Sequence, residues 1–190
     1  MTGKDILKIT LNLVAIYLAG GLILAFVYAK TSPIMYRNAV LEKEKALKML
    51  FPETDNIEKL GDWITHGKHA EYFVAKKGAV VTGYIVQSFG KGYSSYIDTL
   101  IAVNPDFTVR KISILGHAET PGLGDEIETE GFQSRFVGKS SDHLHVLKME
   151  TTDEIQAISG ATISSRAVAE DAVKSGLDFL EVMVKGENAG

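Results

Sequence analysis

The chain has 190 residues, 20 of them basic and 24 acidic, for a formal net charge of −4. That length suits one ordinary domain with an appendage, and the well-mixed charge builds no basic field for nucleic acid, so no nucleic-acid partner is expected. Cysteine is absent, which excludes disulfides, thiolate chemistry and cysteine-ligated zinc or iron–sulfur centres.

After a short flank at 1–8, residues 9–29 run for 21 positions without a charge. As a helix rising about 1.5 Å per residue, this run spans roughly 30 Å, the hydrocarbon thickness of a bilayer. It predicts a single transmembrane helix at 9–29, with lipid as a partner. A cleaved signal peptide would have a shorter apolar region and small residues at its cleavage site. Val27 is bulky there, and a retained anchor is the favoured reading. Gly20-Gly21 would permit close approach of another helix, though glycine is common in membrane helices. Lys4 and Lys8 lie before the span, and Lys30, Arg37, Lys43 and Lys45 follow it. This distribution of basic residues leaves the side of the soluble part open.

Thr31-Ser32-Pro33 is expected to break the helix. A second helical pattern at 34–50 forms a connector over 30–52 that ends at Phe51-Pro52. Residues 53–70 read as polar and irregular, with Trp63 a local core anchor. Strand patterns follow at 72–76 and 80–87, separated by a turn at Lys77-Gly78-Ala79. Residues 89–93 read as a glycine-rich loop, 96–103 as a strand, Asn104-Pro105-Asp106 as a turn, and 109–115 as the returning strand. A loop at 116–124, a helix within 125–136 and a short strand near 145–149 come next. Ala169, Val173, Leu177, Leu180 and Val184 step by three and four along a C-terminal helix. The expected fold class is α+β: an N-terminal transmembrane helix, then a mainly antiparallel sheet with packed helices. The soluble domain is expected over 53–185, with a flexible tail at 186–190.

Ser159-Gly160-Ala161-Thr162-Ile163-Ser164-Ser165 is small and hydroxyl-rich, just before the clearest soluble helix. Gly and Ala let backbone approach a ligand, and free amides at a helix start hold phosphate. Arg166 adds a possible charge partner. Ordinary capping by Ser164 or Ser165 accounts for the same residues, and local chemistry alone favours that plainer account.

Two blocks of sequence change the weighting. Ser159-Gly160-Ala161-Thr162 and His117-Ala118-Glu119-Thr120-Pro121-Gly122-Leu123-Gly124 resemble two motifs of the FMN-binding domain family. That family includes the G subunit of Rnf-type electron-transport complexes, which the chain looks like, and the related C subunit of the sodium-pumping NADH:quinone reductase. The convincing resemblance covers 92–175. It implies FMN held covalently, by a phosphoester to Thr162. Ser159, Gly160, Ala161, Ile163, Ser164, Ser165 and Arg166 would surround the attachment, and Glu119, Thr120, Gly122 and Leu123 would border the flavin. One position departs from the family pattern: Gln156 stands where an acid usually lies, three residues before the motif serine, and Asp153 lies three further back.

The resemblance further implies an electron-transfer subunit of a membrane-bound ferredoxin/NAD oxidoreductase complex coupled to ion movement. Its partners would be other subunits and, during maturation, a magnesium-dependent flavin transferase that takes FMN from FAD. The chain would sit in the inner or cytoplasmic membrane with its soluble domain on the non-cytoplasmic side. It would not be a complete enzyme alone, and it carries no convincing dinucleotide fingerprint. No catalytic side chain is assigned. His66, His69, His117, His143 and His145 form no compact metal motif. Asp125, Glu126, Glu128 and Glu130 read as a solvated helix face. Among Tyr84, Phe89, Tyr93, Tyr96 and Phe136, one or two are candidates for flavin contact. A membrane-tethered module with a noncovalent ligand, or a colourless assembly subunit, remains the other class of reading.

Overall fold

A computed structural model describes residues 2–187. The chain divides into two compact units, Met1–Glu42 and Lys43–Gly190. Helix α1, Gly3–Leu50, supplies nearly all of the first unit and opens the second. It is long and apolar enough to cross a membrane by length and composition. The large apolar side chains of the first unit, such as Leu22, Leu24 and Phe26, are exposed, as suits lipid contact.

Pro33 lies inside α1, so the expected break there is absent and 30–50 is not a separate connector helix. A proline removes one rung of the ladder and crowds the preceding turn. Only the rung from position 33 to the Ala29 carbonyl is lost, and the helix runs on through it to Leu50. The helix ends at Leu50, before Phe51-Pro52, as expected.

The second unit is built on a five-stranded antiparallel meander in the order β1-β2-β3-β4-β5. The strands are β1 Asn56–Thr65, β2 Lys68–Lys77, β3 Val80–Lys91, β4 Tyr96–Val103 and β5 Val109–Gly116. Both faces of the sheet are covered. Along β4, Ile97, Ile101 and Val103 belong to one apolar cluster, while Leu100 and Ala102 belong to another. The first cluster joins the sheet to the C-terminal helical run. The second joins it to Ala46, Leu50 and Phe51. This double burial suits the short apolar stretches Tyr84–Val86 in β3 and Leu100–Val103 in β4, where neighbouring residues face opposite clusters. Each fully buried Ile or Leu here contributes roughly 1.5–3 kcal/mol.

Strand β1 corrects the expectation of irregular chain at 53–70. Its pairing with β2 shifts between Lys59 and Gly61. The extra residue changes the phase, so Ile57 packs on one cluster and Trp63 on the other. No single alternation survives to be read. Trp63 is the anchor expected: it stacks on Phe179 at 4.3 Å and donates to the Gln87 carbonyl at 2.9 Å.

After the sheet, 125–136 is not one helix. A 3-10 turn at Gly124–Glu128, helix α2 at Glu130–Gln133 and a second 3-10 turn at Ser134–Phe136 share that stretch. Strands β6, Val146–Leu147, and β7, Ile155–Gln156, pair in parallel. Helix α3, Thr162–Arg166, runs into a π-helical segment at Ala167–Val173 and then α4, Lys174–Glu187. Ala169, Val173, Leu177 and Leu180 are buried along this run, as their spacing predicts. Positions 186 and 187 of the expected tail are helical, and 188–190 lie outside the described residues.

Candidate functional site

Three segments meet at one cleft: the β3–β4 loop, the loop after β5, and the chain leading into α3. The cleft has a volume of about 1130 Å³. Tyr93 lines it from the first segment, Glu119, Thr120, Leu123 and Gly124 from the second, and Ser159 to Ser164 from the third.

The loop after β5 winds around one carbonyl. The amides of Leu123 and Gly124 donate to Thr120 O at 3.2 and 3.0 Å, and Gly122 turns at φ +72°. Gly160, at φ +79°, sits where an added Cβ would come within 2.9 Å of Leu123 Cδ1. The two motif blocks therefore touch each other through Leu123 and Gly160.

Ala161 precedes α3, and neither Ser164 nor Ser165 caps it; both lie inside the helix, buried. Ser165 Oγ donates to Ala161 O at 3.0 Å and accepts from the Ile158 amide at 2.9 Å. It clamps the approach to the helix. Ser164 Oγ donates to Glu119 Oε2. Thr162, half-buried, is the first helical residue, and its hydroxyl has no hydrogen-bond partner among the described residues. The amides of Thr162, Ile163 and Ser164 open the helix, where no intrahelical carbonyl reaches them.

Glu119 is only 5 % exposed. Burial pushes its carboxyl up, but hydrogen bonds from Ser164 and from the amides of Ser94, Tyr93 and Ser95 outweigh that and hold it below the ordinary value. A lowered folded value stabilises the fold above the unfolded pKa of about 4.3, and the contribution disappears as pH falls through the folded value. Glu119→Gln should therefore cost stability at neutral pH and progressively less below about pH 4. Urea midpoints at a series of pH values check this; a pH-independent difference would contradict it.

Of the residues expected at the site, Ser159, Gly160, Ala161, Thr162, Ile163, Ser164, Glu119, Thr120 and Leu123 line the cleft, whereas Ser165, Arg166 and Gly122 do not. Arg166 is exposed and lies 3.9 Å from Glu170. Tyr93 alone among the five aromatics considered lines the cleft. Gln156 also lines it. Sequence reasoning missed Arg135 and Lys148, cations drawn from segments outside both motif blocks. Arg135 donates to Gln156 O at 2.6 Å and Gly131 O at 3.2 Å, and forms no ion pair among the described residues. Nothing in the local sequence marks it. Glu126, expected on a solvated helix face, joins the cleft wall.

A family model described as FMN-binding domain matches residues 92–178. That stretch contains every residue lining the cleft. The chain is 35 % identical over 185 residues to the G subunit of the proton-translocating ferredoxin:NAD(+) oxidoreductase complex of Clostridium ljungdahlii, covering 97 % of this chain and 96 % of that one. It belongs to the G-subunit family of ion-translocating oxidoreductase complexes. A second relative, the G subunit of the ion-translocating oxidoreductase complex of Methanosarcina acetivorans, is 30 % identical over 182 residues, with 93 % and 95 % of the two chains covered. The fold is that of the crystal structure of Shewanella oneidensis NqrC, at TM-score 0.54, 23 % identity and 74 % coverage of each chain. Membership of the G-subunit family supports an electron-transfer subunit with an FMN-binding domain in a multi-subunit membrane complex.

The residues present fit such a cofactor. The volume suits a nucleotide-sized ligand. Leu123 and Ile163 give apolar wall, Tyr93 gives an aromatic one, and the opening amides of α3 suit a phosphate. Arg135 and Lys148 bring positive charge to an anion's site.

Proposed function

We propose that this chain is the flavin-bearing electron carrier of a ferredoxin:NAD oxidoreductase complex, with FMN joined to Thr162 by a phosphoester. The observation that carries this reading is the Thr162 hydroxyl at the start of α3, on the wall of the cleft and without a hydrogen-bond partner among the described residues. Ser164 and Ser165, the hydroxyls that follow it, are buried and bonded within the fold. A flavin transferase supplies the FMN from FAD: the Thr162 hydroxyl oxygen forms the new ester bond to the FMN phosphorus, the pyrophosphate bond of FAD breaks, and AMP leaves as the hydroxyl proton is released. The helix through 9–29 anchors the chain in the inner membrane, with the domain on the non-cytoplasmic side, and keeps the site near its partner subunits.

Bound there, the isoalloxazine ring supplies electron chemistry that no side chain of this protein can perform. The protein's part is binding and placement. Thr162 prevents loss of the cofactor. The α3 amides and Arg135 hold negative charge. Leu123, Ile163 and Tyr93 offer exposed apolar and aromatic surface to the ring. The chain made together with a flavin transferase should keep flavin absorbance after denaturation and gel filtration. A colourless denatured chain would remove the covalent reading and leave the reversible one.

Arg135 gives a separate expectation. In chain made without the transferase, Arg135→Gln should weaken reversible FMN binding about ten-fold, the scale of one charge-assisted hydrogen bond. Fluorescence titration measures it. Unchanged affinity would take Arg135 out of the anion site.

A further inference from the structure

We propose that Glu119 is the positioning residue for the attachment at Thr162, tying the β3–β4 loop to the first turn of α3 so that Thr162 faces the cleft. This rests on the reading of Thr162 above.

The carboxylate is occupied inside the protein. Oε1 accepts from the Ser94 amide at 3.0 Å. Oε2 accepts from the Tyr93 amide at 3.1 Å and from the Ser164 hydroxyl. The residue is held from its own backbone too: the Glu119 amide donates to His117 Nδ1 at 3.0 Å, and His117 Nε2 lies 3.0 Å from Glu128 Oε1. With Nδ1 accepting, Nε2 carries the proton and donates to Glu128. Glu119 itself forms no ion pair among the described residues. Neutral donors alone satisfy a nearly buried carboxylate.

Two glycines leave room for this knot. A Cβ at Gly92 would lie 2.5 Å from Glu119 Oε1. One at Gly124 would lie 2.8 Å from Glu119 Cβ and 3.0 Å from Ser164 Oγ. The glycines of the β3–β4 loop and of the loop after β5 thus serve one carboxylate from two sides.

The consequence for Thr162 follows from helix geometry. Residues two apart on a helix point about 200° from each other. Ser164, bound to Glu119, is buried where it lines the cleft, and this leaves Thr162 on the less buried side of the same turn, where it also lines the cleft. The same carboxylate holds the backbone of Tyr93, which forms another part of that wall. Glu119 therefore acts through Ser164 and Tyr93 and need not touch the cofactor.

Gln is nearly the same size but turns one acceptor into a donor, which faces an amide or a hydroxyl already donating. The full chain in detergent, with a flavin transferase and FAD, gives initial attachment rates by intact mass. Glu119→Gln and Ser164→Ala should each slow attachment about ten-fold or more. Ser164→Thr, which keeps the hydroxyl, should stay within about two-fold of the parent. A general loss of stability would not produce that rescue pattern when each variant is assayed well below its own unfolding midpoint. In the flavin-free chain, the Tyr93 and Ser94 amide resonances should shift upfield in Glu119→Gln. They should titrate with a single acid transition in the parent and lose it in the variant. Parent rates in folded Glu119→Gln would overturn the proposal. So would parent rates in Ser164→Ala, which removes only one of the donors to Glu119 and carries the test should Glu119→Gln fail to fold. A parent chain that loads elsewhere, or not at all, defeats the Thr162 reading instead. A parent that loads at Thr162 beside unaffected variants defeats this inference alone.

Discussion

Thr162→Ala should abolish covalent flavin while leaving the fold intact. The side chain is half-buried, makes no hydrogen bond among the described residues and opens a helix, where alanine is well tolerated. Its stability should change by no more than about 0.5 kcal/mol. Loading should nevertheless fall to zero, because the hydroxyls that follow it in α3 are bonded inside the fold, and Thr120 and Ser159, which also line the cleft, lie outside the helix. Ser164 donates to Glu119, and Ser165 is held between Ile158 and Ala161. Ser159 is exposed but lies before the helix rather than in its first turn. Thr162→Ser, which keeps the oxygen, should still load. In-gel fluorescence of denatured protein made with the transferase gives the answer, and a fluorescent alanine variant would contradict the assignment.

Gly90→Ala should produce the largest loss of stability. Gly90 pairs with Ile97 in the sheet. A Cβ there would fall on the backbone carbonyl of Ala167, where the π-helical segment begins. Backbone cannot swing aside as a side chain can. Relief requires moving the Ala167–Val173 segment, whose Val168, Ala169, Ala172 and Val173 are buried. Overpacking of this kind costs about 3 kcal/mol, equivalent to a melting-point drop of roughly 10 °C for a domain of this size. Gly116→Ala is the control, since nothing lies within 4 Å of its added Cβ. Circular dichroism melts of both variants compare them. Equal, small shifts would show that β3 and the π-helical segment are less closely packed than the structure has them.

The parts of the fold that were legible in the sequence share one property: their side-chain period survives in the folded chain. The stripe through Ala169, Val173, Leu177 and Leu180 is such a case, and β4 matches its expected limits. Strand β1 was hidden because its bulge moves Ile57 and Trp63 to different faces. Pro33 does not end the helix because the many rungs on either side of it hold α1 together, and that support lies outside the tripeptide Thr31-Ser32-Pro33. Within 125–136, short turns replace a helix, and Phe132 and Phe136 are buried together at 5.3 Å. That contact depends on tertiary packing.

The candidate site divides in the same way. Its two motif blocks are contiguous in sequence, so they could be read, and they meet through Leu123 and Gly160. Arg135, Lys148 and Gln156 come from separate places along the chain and converge only in the folded domain. The inward roles of Ser164 and Ser165 were invisible for a related reason. A serine near a helix start reads as a cap, whereas the partners of these two, Glu119 and Ile158, are set by the fold.

Peptide mapping of the chain purified from its native membrane tests the central claim most directly. Digestion followed by fragmentation mass spectrometry should find one flavin-bearing peptide, containing Ser159 to Arg166, with the added mass on Thr162. A fully loaded sample whose modified peptide leaves that threonine free would contradict the account.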